Sequence, residues 1–285
     1  MLCCIGDLVE DIVVERTATI ATGADTDVVI TRRRGGSAAN VAVAAAGLGC
    51  NVRFFGRVGA DAIGAGLVAE LETSGVGAIV QRVGRTGTIL VLIEPDGERS
   101  MLRDRGAAAE LDRLDAPGLT GMTWLHVPAY SLVDGPVASV AHAALVRARE
   151  AGIATSVDAS STTVVDALTP EGFVALIGQL RPSVVFANVD EALALPPPGS
   201  WSGFDGVAII KDGPRPVRAV DATGDVIAEV DAMMLGEIRD TTGAGDAFAA
   251  GFIAARMRDE ILPAALAAGH ASAAAHLSMY HRGDV

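Results

Sequence analysis

The run from Asp240 to Phe248, DTTGAGDAF, carries the residue types and spacing best suited to chemistry in this chain. Gly243 and Gly245 flank Ala244, and Asp246 then opens AFAAGFIAARM, a small and apolar stretch that reads as a helix. Glycines permit positive φ, so consecutive backbone N–H groups can converge on one point. A helix start adds unpaired N–H groups and a partial positive charge. The backbone of Gly243, Ala244 and Gly245 therefore suits an anion hole for a phosphoryl group in transfer. A carboxylate at that place is repelled by phosphate, so Asp246 reads as a base for a hydroxyl lying beside it. Its other reading is an acid in the first turn of a helix, favoured there by the dipole. No GxxxxGK[ST] element occurs and no GxGxxG follows a strand, which argues against a Walker P-loop and against a dinucleotide-dependent dehydrogenase.

Positioning these residues takes an alternation of strands and helices. MLCCIGDLVEDIVV reads as a strand that breaks at Gly6 and resumes beyond Asp11. Residues 38–47 (AANVAVAAAG) read as a helix stopped by Gly47 and Gly49. NVRFFGRVG is the next strand, 61–74 the next helix, and TGTILVLIEPDGERSMLR a hairpin turning at Pro95-Asp96-Gly97. Further strands are expected at 123–127, 154–158, 183–187 and 207–210, and helices at 136–151, 170–180, 244–256 and 262–277. Repeated strand–helix units imply right-handed crossovers and a mostly parallel sheet covered on both faces. Segments 12–34 and 85–103 interrupt that rhythm and read as a small sheet standing off the main body, the place for a lid.

Half of the 285 residues are hydrophobic and only 20% are charged, enough apolar material for one large α/β domain or two small ones. The net charge of −13 repels nucleic acid and acidic membrane surfaces, and 4% aromatics gives little for single strands to stack on. The triplet Arg32-Arg33-Arg34 is a basic exception, readable as a solvated strand end or as a phosphate- or substrate-facing group. Cys3, Cys4 and Cys50 lack metal-ligand spacing and read as small buried hydrophobes. Neither a signal peptide nor a run of about 18 apolar residues is visible, so the expectation is a cytoplasmic enzyme.

DTTGAGDAFAAGF closely resembles the C-terminal signature of the PfkB/ribokinase-like carbohydrate kinases. GGSAANVAVAAAGLG with FFGRVGADAIGAGLVAELETSGV resembles the N-terminal one, and TGTILVLIEPDGERSML and ANVDE at 187–191 resemble two further family elements. The four lie in the family's order and cover most of the chain. The resemblance implies one ribokinase-like domain over 1–285, a three-layer α/β/α fold with a mostly parallel sheet and a small β lid. It implies transfer of phosphate from Mg-ATP to an alcohol, with Asp246 as base and Gly243, Ala244 and Gly245 as the anion hole. It makes Asn188 and Glu191 the N-x-x-E positions that order hydrated Mg²⁺; capping of a helix near Asp190 is their other reading. It sets Asp11, Gly35, Gly36 and Asn40 on the sugar, and Lys211, Gly213, Thr242, Gly245, Ala268 and Ser272 at the nucleotide. The family's G-x-x-G is here Gly213-Pro-Arg-Pro216, a stiffer loop. K⁺ dependence and a homodimer formed through the lid are also common among similar enzymes.

The acceptor stays open. Asp11 and Asn40 suit a neutral sugar, since a carboxylate and an amide each bridge neighbouring hydroxyls. Arg103 falls where 2-keto-3-deoxygluconate kinases tend to place an arginine, which points to a sugar acid. A nucleoside wants a ring to stack on, and rings are scarce. A non-catalytic sugar- or nucleotide-binding regulator on the same fold is the remaining class, disfavoured by the intact Asp246 and its Gly-Ala-Gly loop.

Overall fold

Leu2–Ile5 forms the first strand, β1, with Leu2 and Cys4 in one core cluster and Cys3 and Ile5 in another. Successive strand side chains point to opposite faces, so a strand buried throughout must be covered on both sides. The computed structural model describes residues 1–15, 22–23, 25–94, 99–235 and 241–280. The remaining strands are β2 (Val9–Glu15), β3 (Val29–Gly35), β4 (Val52–Val58), β5 (Val76–Arg82), β6 (Thr86–Ile93), β7 (Arg99–Gly106), β8 (Trp124–Pro128), β9 (Ala154–Asp158), β10 (Val184–Asn188), β11 (Val207–Lys211), β12 (Val217–Val220) and β13 (Val226–Val230). The helices are α1 (Ser37–Gly47), α2 (Ala62–Thr73), α3 (Gly135–Glu150), α4 (Thr162–Leu168), α5 (Pro170–Leu180), α6 (Val189–Ala194), α7 (Ala244–Arg256) and α8 (Leu262–Tyr280).

Among the described residues nine strands form the main sheet, in the order β13-β12-β11-β10-β9-β8-β1-β4-β5. From β11 to β5 all neighbours are parallel, and β12 and β13 add an antiparallel edge. Helices α1, α2, α7 and α8 bury one face, and α3, α4 and α5 the other. This is the three-layer α/β/α architecture expected from the sequence. Chain progression runs outward from β1 in one direction through β4 and β5, then in the other through β8 to β11. The order therefore switches beside β1, where open parallel sheets hold ligands at the carboxyl ends of their strands.

The second sheet has the order β3-β2-β6-β7 and contains the two segments read as a lid. Its strands reach slightly beyond the expected bounds, starting at Val9 and ending at Gly106. The expected Pro95-Asp96-Gly97 turn, like Asp240, lies outside the described residues. Four elements went unread in the sequence: β5, α4 and the β12–β13 pair. Thr162-Thr163-Val164-Val165 of α4 is β-branched, which disfavours helix; the Ser161 hydroxyl caps it by accepting from the Val164 N–H at 3.3 Å. Helices α7 and α8 pack through small residues, and a Cβ at Gly251 would stand 2.4 Å from the Ala268 carbonyl oxygen. No helix among the described residues is long and apolar enough to cross a membrane.

Candidate active site

The start of α7 is shaped by Gly243, whose φ of 78° is left-handed and therefore costly for any residue with a side chain. Space forbids one as well, since a Cβ there would lie 2.8 Å from His276 Nε2. That nitrogen is 2.8 Å from the Thr242 carbonyl oxygen, and a carbonyl only accepts, so Nε2 carries the proton. The Ala244 N–H closes a turn onto the Thr241 carbonyl at 3.2 Å. Residues Thr241 to Asp246 line a cleft of about 860 Å³.

Asp246 sits in the first turn of α7 with both carboxylate oxygens engaged. Ser37 Oγ donates to Oδ1 at 2.6 Å and Asn40 Nδ2 donates to Oδ2 at 2.9 Å. Burial pushes its pKa above the ordinary carboxylate range, while these two hydrogen bonds oppose the rise. Both donors come from the first turn of α1, and the Gly35-Gly36 pair sets how α1 begins. Gly36 has φ 102°. A Cβ on Gly36 would strike the Asp7 carbonyl oxygen at 2.1 Å, and one on Gly35 would strike Asp11 Oδ1 at 2.0 Å.

Beside the start of α7, where a Cβ on Gly245 would come within 3.3 Å of Lys211 Nζ, that nitrogen donates to Asp158 Oδ2 at 2.7 Å. Burial lowers the Lys211 pKa, but the Asp158 and Glu191 carboxylates outweigh it and the net shift is upward. Asn188 and Glu191 form a reciprocal cap on α6. The Glu191 N–H donates to Asn188 Oδ1 at 2.9 Å, and the Asn188 N–H and Nδ2 donate to the Glu191 carboxylate, each at 2.8 Å. Glu191 is only 3% exposed, and burial, reinforced by Asp158, raises its pKa to about 7. The N-x-x-E pair therefore caps a helix and also lines the cleft. Among the described residues no group of three or more acidic, His or Cys side chains forms a dedicated metal cage. An outer-shell role for hydrated Mg²⁺ fits oxygen donors already committed to hydrogen bonds.

A smaller cavity of about 120 Å³ opens beside Asp246 and shares Ser37, Met101 and Tyr130 with the large cleft. Asp11, Gly36, Arg103 and Ser131 contribute to its wall. Burial lifts the Asp11 pKa to about 6 against the pull of Arg33, whose Nε is 4.0 Å away. Arg105 forms a fork on Asp7 through two bonds of 2.8 Å and also reaches Asp134 at 3.0 Å. Arg103 lies over the Tyr130 ring, 5.3 Å from its centroid.

Residues 1–281 match the pfkB family of carbohydrate kinases. The chain belongs to that family. An ATP-dependent ribose-1-phosphate kinase of Halopiger xanaduensis is 32% identical over 237 residues, covering 79% of this chain and 74% of that protein. A fructokinase of Vibrio alginolyticus is 31% identical over 245 residues, 79% of this chain and 76% of its own. Among solved structures, adenosine kinase from Sinorhizobium meliloti superposes with a TM-score of 0.83 at 24% identity, covering 97% of this chain and 93% of that one. At that identity the likeness speaks for the fold.

In this pfkB kinase the structure gathers most of the residues singled out from sequence. Asp246, Gly243, Ala244, Gly245, Thr242, Asn188, Glu191, Lys211 and Gly213 line the large cleft, and Asp11, Gly36 and Arg103 the small one. Gly35 makes room for Asp11, and Asn40 reaches Asp246, without either lining a cavity. Ala268 and Ser272 face Gly251 of α7 instead of the cleft. On α8 the lining residues are His270, Ala273, Ala274 and Leu277. The helix was read correctly, but its rotation about its axis was not: an Ala-rich helix has no polar stripe to reveal which side faces a ligand. Asp158, Ser37, Tyr130 and Ser131 were missed. For Asp158 a signal existed, an acid at the end of an expected strand, ATSVD.

Proposed function

We propose that this kinase moves the γ-phosphate of Mg-ATP to a hydroxymethyl or other alcohol group of a small sugar, with Asp246 as general base. The observation that carries this is the place of Asp246: on the wall of the large cleft and bonded to Ser37, which both cavities share. An acceptor held in the small cavity and a triphosphate in the large one meet there. Asp246 takes the hydroxyl proton as the acceptor oxygen bonds to the γ-phosphorus, and the bond to the ADP oxygen breaks with its electron pair leaving on ADP. Its raised pKa makes it a better proton acceptor than an exposed carboxylate. Gly243, Ala244 and Gly245 surround the developing charge at the start of α7, and Lys211, Thr242 and Gly213 lie along the nucleotide. Asn188 and Glu191 would hold Mg²⁺ through its water shell, and the ion would offset negative charge on the phosphates. K⁺ dependence is checked by running the assay with and without it.

Asp11 binds the acceptor hydroxyls, supported by its position in the small cavity. Arg105 is already committed to Asp7 and Asp134, which leaves Arg103 as the cation facing the acceptor. An anionic sugar, either a sugar acid or a sugar phosphate, is the second reading, and Arg103 on the pocket wall is what favours it. Exposed Val29, Ile30, Met101 and Leu102 give a homodimer an apolar lid surface. Three free thiols suit a reducing, cytoplasmic setting.

The test is ADP release from Mg-ATP across neutral sugars, sugar acids, sugar phosphates and nucleosides. A Mg²⁺-dependent hit that disappears in Asp246→Asn establishes both the reaction and the base. ATP binding with no turnover on any acceptor favours the non-catalytic regulator.

A further inference from the structure

Strand β3 ends in three arginines, and phosphoryl transfer as described uses none of them. Arg32 pairs with Glu10 at 2.8 Å and Arg33 approaches Asp11. Arg34 turns inward, its side chain only 13% exposed. Its Nη1 donates to Asn40 Oδ1 at 2.6 Å, and its Nε donates to Glu70 at 3.1 Å. The Asn40 amide nitrogen in turn donates to Asp246 Oδ2 at 2.9 Å.

A guanidinium has donors only, whereas an amide has a donor end and an acceptor end. Whichever end of Asn40 meets Arg34 must be the oxygen, and this turns the NH₂ group onto Asp246. With Arg34 absent only the Asp246 carboxylate, itself an acceptor, selects that sense, and it stops doing so once protonated. A half-turn of the amide would then set Oδ1 on the carboxyl O–H and leave Asp246 Oδ2 without its donor. We infer that Arg34 is a positioning residue for the reaction: by fixing the sense of the Asn40 amide it keeps one donor on each oxygen of Asp246. This rests on the reading of Asp246 as base. It also makes Asn40 a support of the base, with its oxygen spent and one of its two N–H groups given to Asp246.

Several other groups face Asp246: Asp158 of β9, Lys211 of β11, Asp11 of β2 and the Cys4 thiol of β1. Asp11 also feels the charge of Arg34, so the test separates charge from amide orientation. Two readouts are taken on Arg34→Met, Arg34→Lys, Asn40→Ala and the Arg34→Met/Asn40→Ala double variant. The first is the titration of the Asp246 carboxyl by carbon-13 NMR without acceptor, assigned by its loss in Asp246→Asn. The second is kcat, with the KM for ATP, against pH, using the acceptor that scores in the sugar panel.

Arg34→Met should move the Asp246 titration upward by roughly one pH unit and cut kcat on the order of ten- to a hundredfold, with little change in the KM for ATP. Arg34→Lys keeps the charge and a donor and should recover most of both. Arg34→Met should add nothing to Asn40→Ala, because both act through one amide. An unmoved titration in Arg34→Met, or effects of the two substitutions that multiply independently, would overturn the inference. A shifted titration with no phosphotransfer to any acceptor upholds the amide lock and sinks the kinase reading. Phosphotransfer that depends on Asp246 with an unmoved titration does the reverse.

Discussion

The large cleft and the small cavity meet at Ser37, which donates to Asp246, yet are built differently. The cleft rests on the carboxyl ends of β9, β10 and β11 and on the start of α7, and its charged groups are matched: Lys211 with Asp158, Glu191 with Asn188. The small cavity takes part of its wall from strands β2, β6 and β7 of the second sheet. It also holds a buried Ser131 hydroxyl with no hydrogen-bond partner and an Arg103 whose company is the Tyr130 ring. Buried polar groups ordinarily find partners. Among the described residues of the two cavities, the Ser131 hydroxyl in the small one and His270 Nε2 in the large cleft are left over. The difference therefore lies in the charged groups: Lys211 is paired in the cleft, while Arg103 has an aromatic ring for company.

The largest expected effect tests the junction itself. Asp246→Asn should lower kcat by about 10²–10⁴-fold while the ATP dissociation constant stays put; near-normal turnover would remove Asp246 from the mechanism. Next comes the matched side. Asp158→Ala removes the hydrogen-bonded partner of the largely buried Lys211 ammonium, leaving it only the more distant Glu191 and Asp246 charges. It should cost about 3 kcal/mol in urea unfolding. A loss below about 1 kcal/mol would mean that solvent already screens the pair.

On the acceptor side, Asp11→Ala should raise the acceptor KM on the order of ten- to a hundredfold and leave that for ATP alone. An ATP-only change would reverse the two ends of the site. Because burial holds the Asp11 pKa near 6, its carboxylate protonates as pH falls through that value and accepts hydroxyl bonds more weakly, through one neutral carbonyl oxygen. The acceptor KM should therefore climb below pH 6 in the wild type and stay flat in Asp11→Asn. The smallest effect concerns Glu191, whose folded pKa is raised from 4.5 to about 7. A raised acid stabilises the fold below its unfolded pKa, and that contribution is lost as pH rises through the folded value. Melting of the Mg-free protein from pH 4.5 to 7 should show this decline, and Glu191→Gln should flatten it.

The contrast also explains what could be read in advance. Helices α5 and α7 and strand β9 were bounded correctly from the pattern of apolar residues, because that signal is local. Helix α4 was hidden by its β-branched run, and α8 was found without its ligand-facing side. These parts of the large cleft were legible for the same local reason: Gly243, Ala244, Gly245 and Asp246 are consecutive, and Asn188 and Glu191 share one helical turn. Tyr130 and Ser131 carried no comparable pattern; they enter the site because β8 ends beside β1 at the point where strand order reverses.

By itself, then, the sequence determined the α/β alternation, the glycine loop that shapes the start of α7, and the acid placed immediately after it, all through short-range geometry. Only the tertiary structure decided how that acid is held. Ser37 and Asn40 lie 209 and 206 residues from Asp246 in the chain, and Arg34 comes from a strand of the other sheet. Hydrogen bonding at that separation depends on the packing of α1 against α7 and of the lid beside them. No spacing along the chain encodes a contact made across two elements.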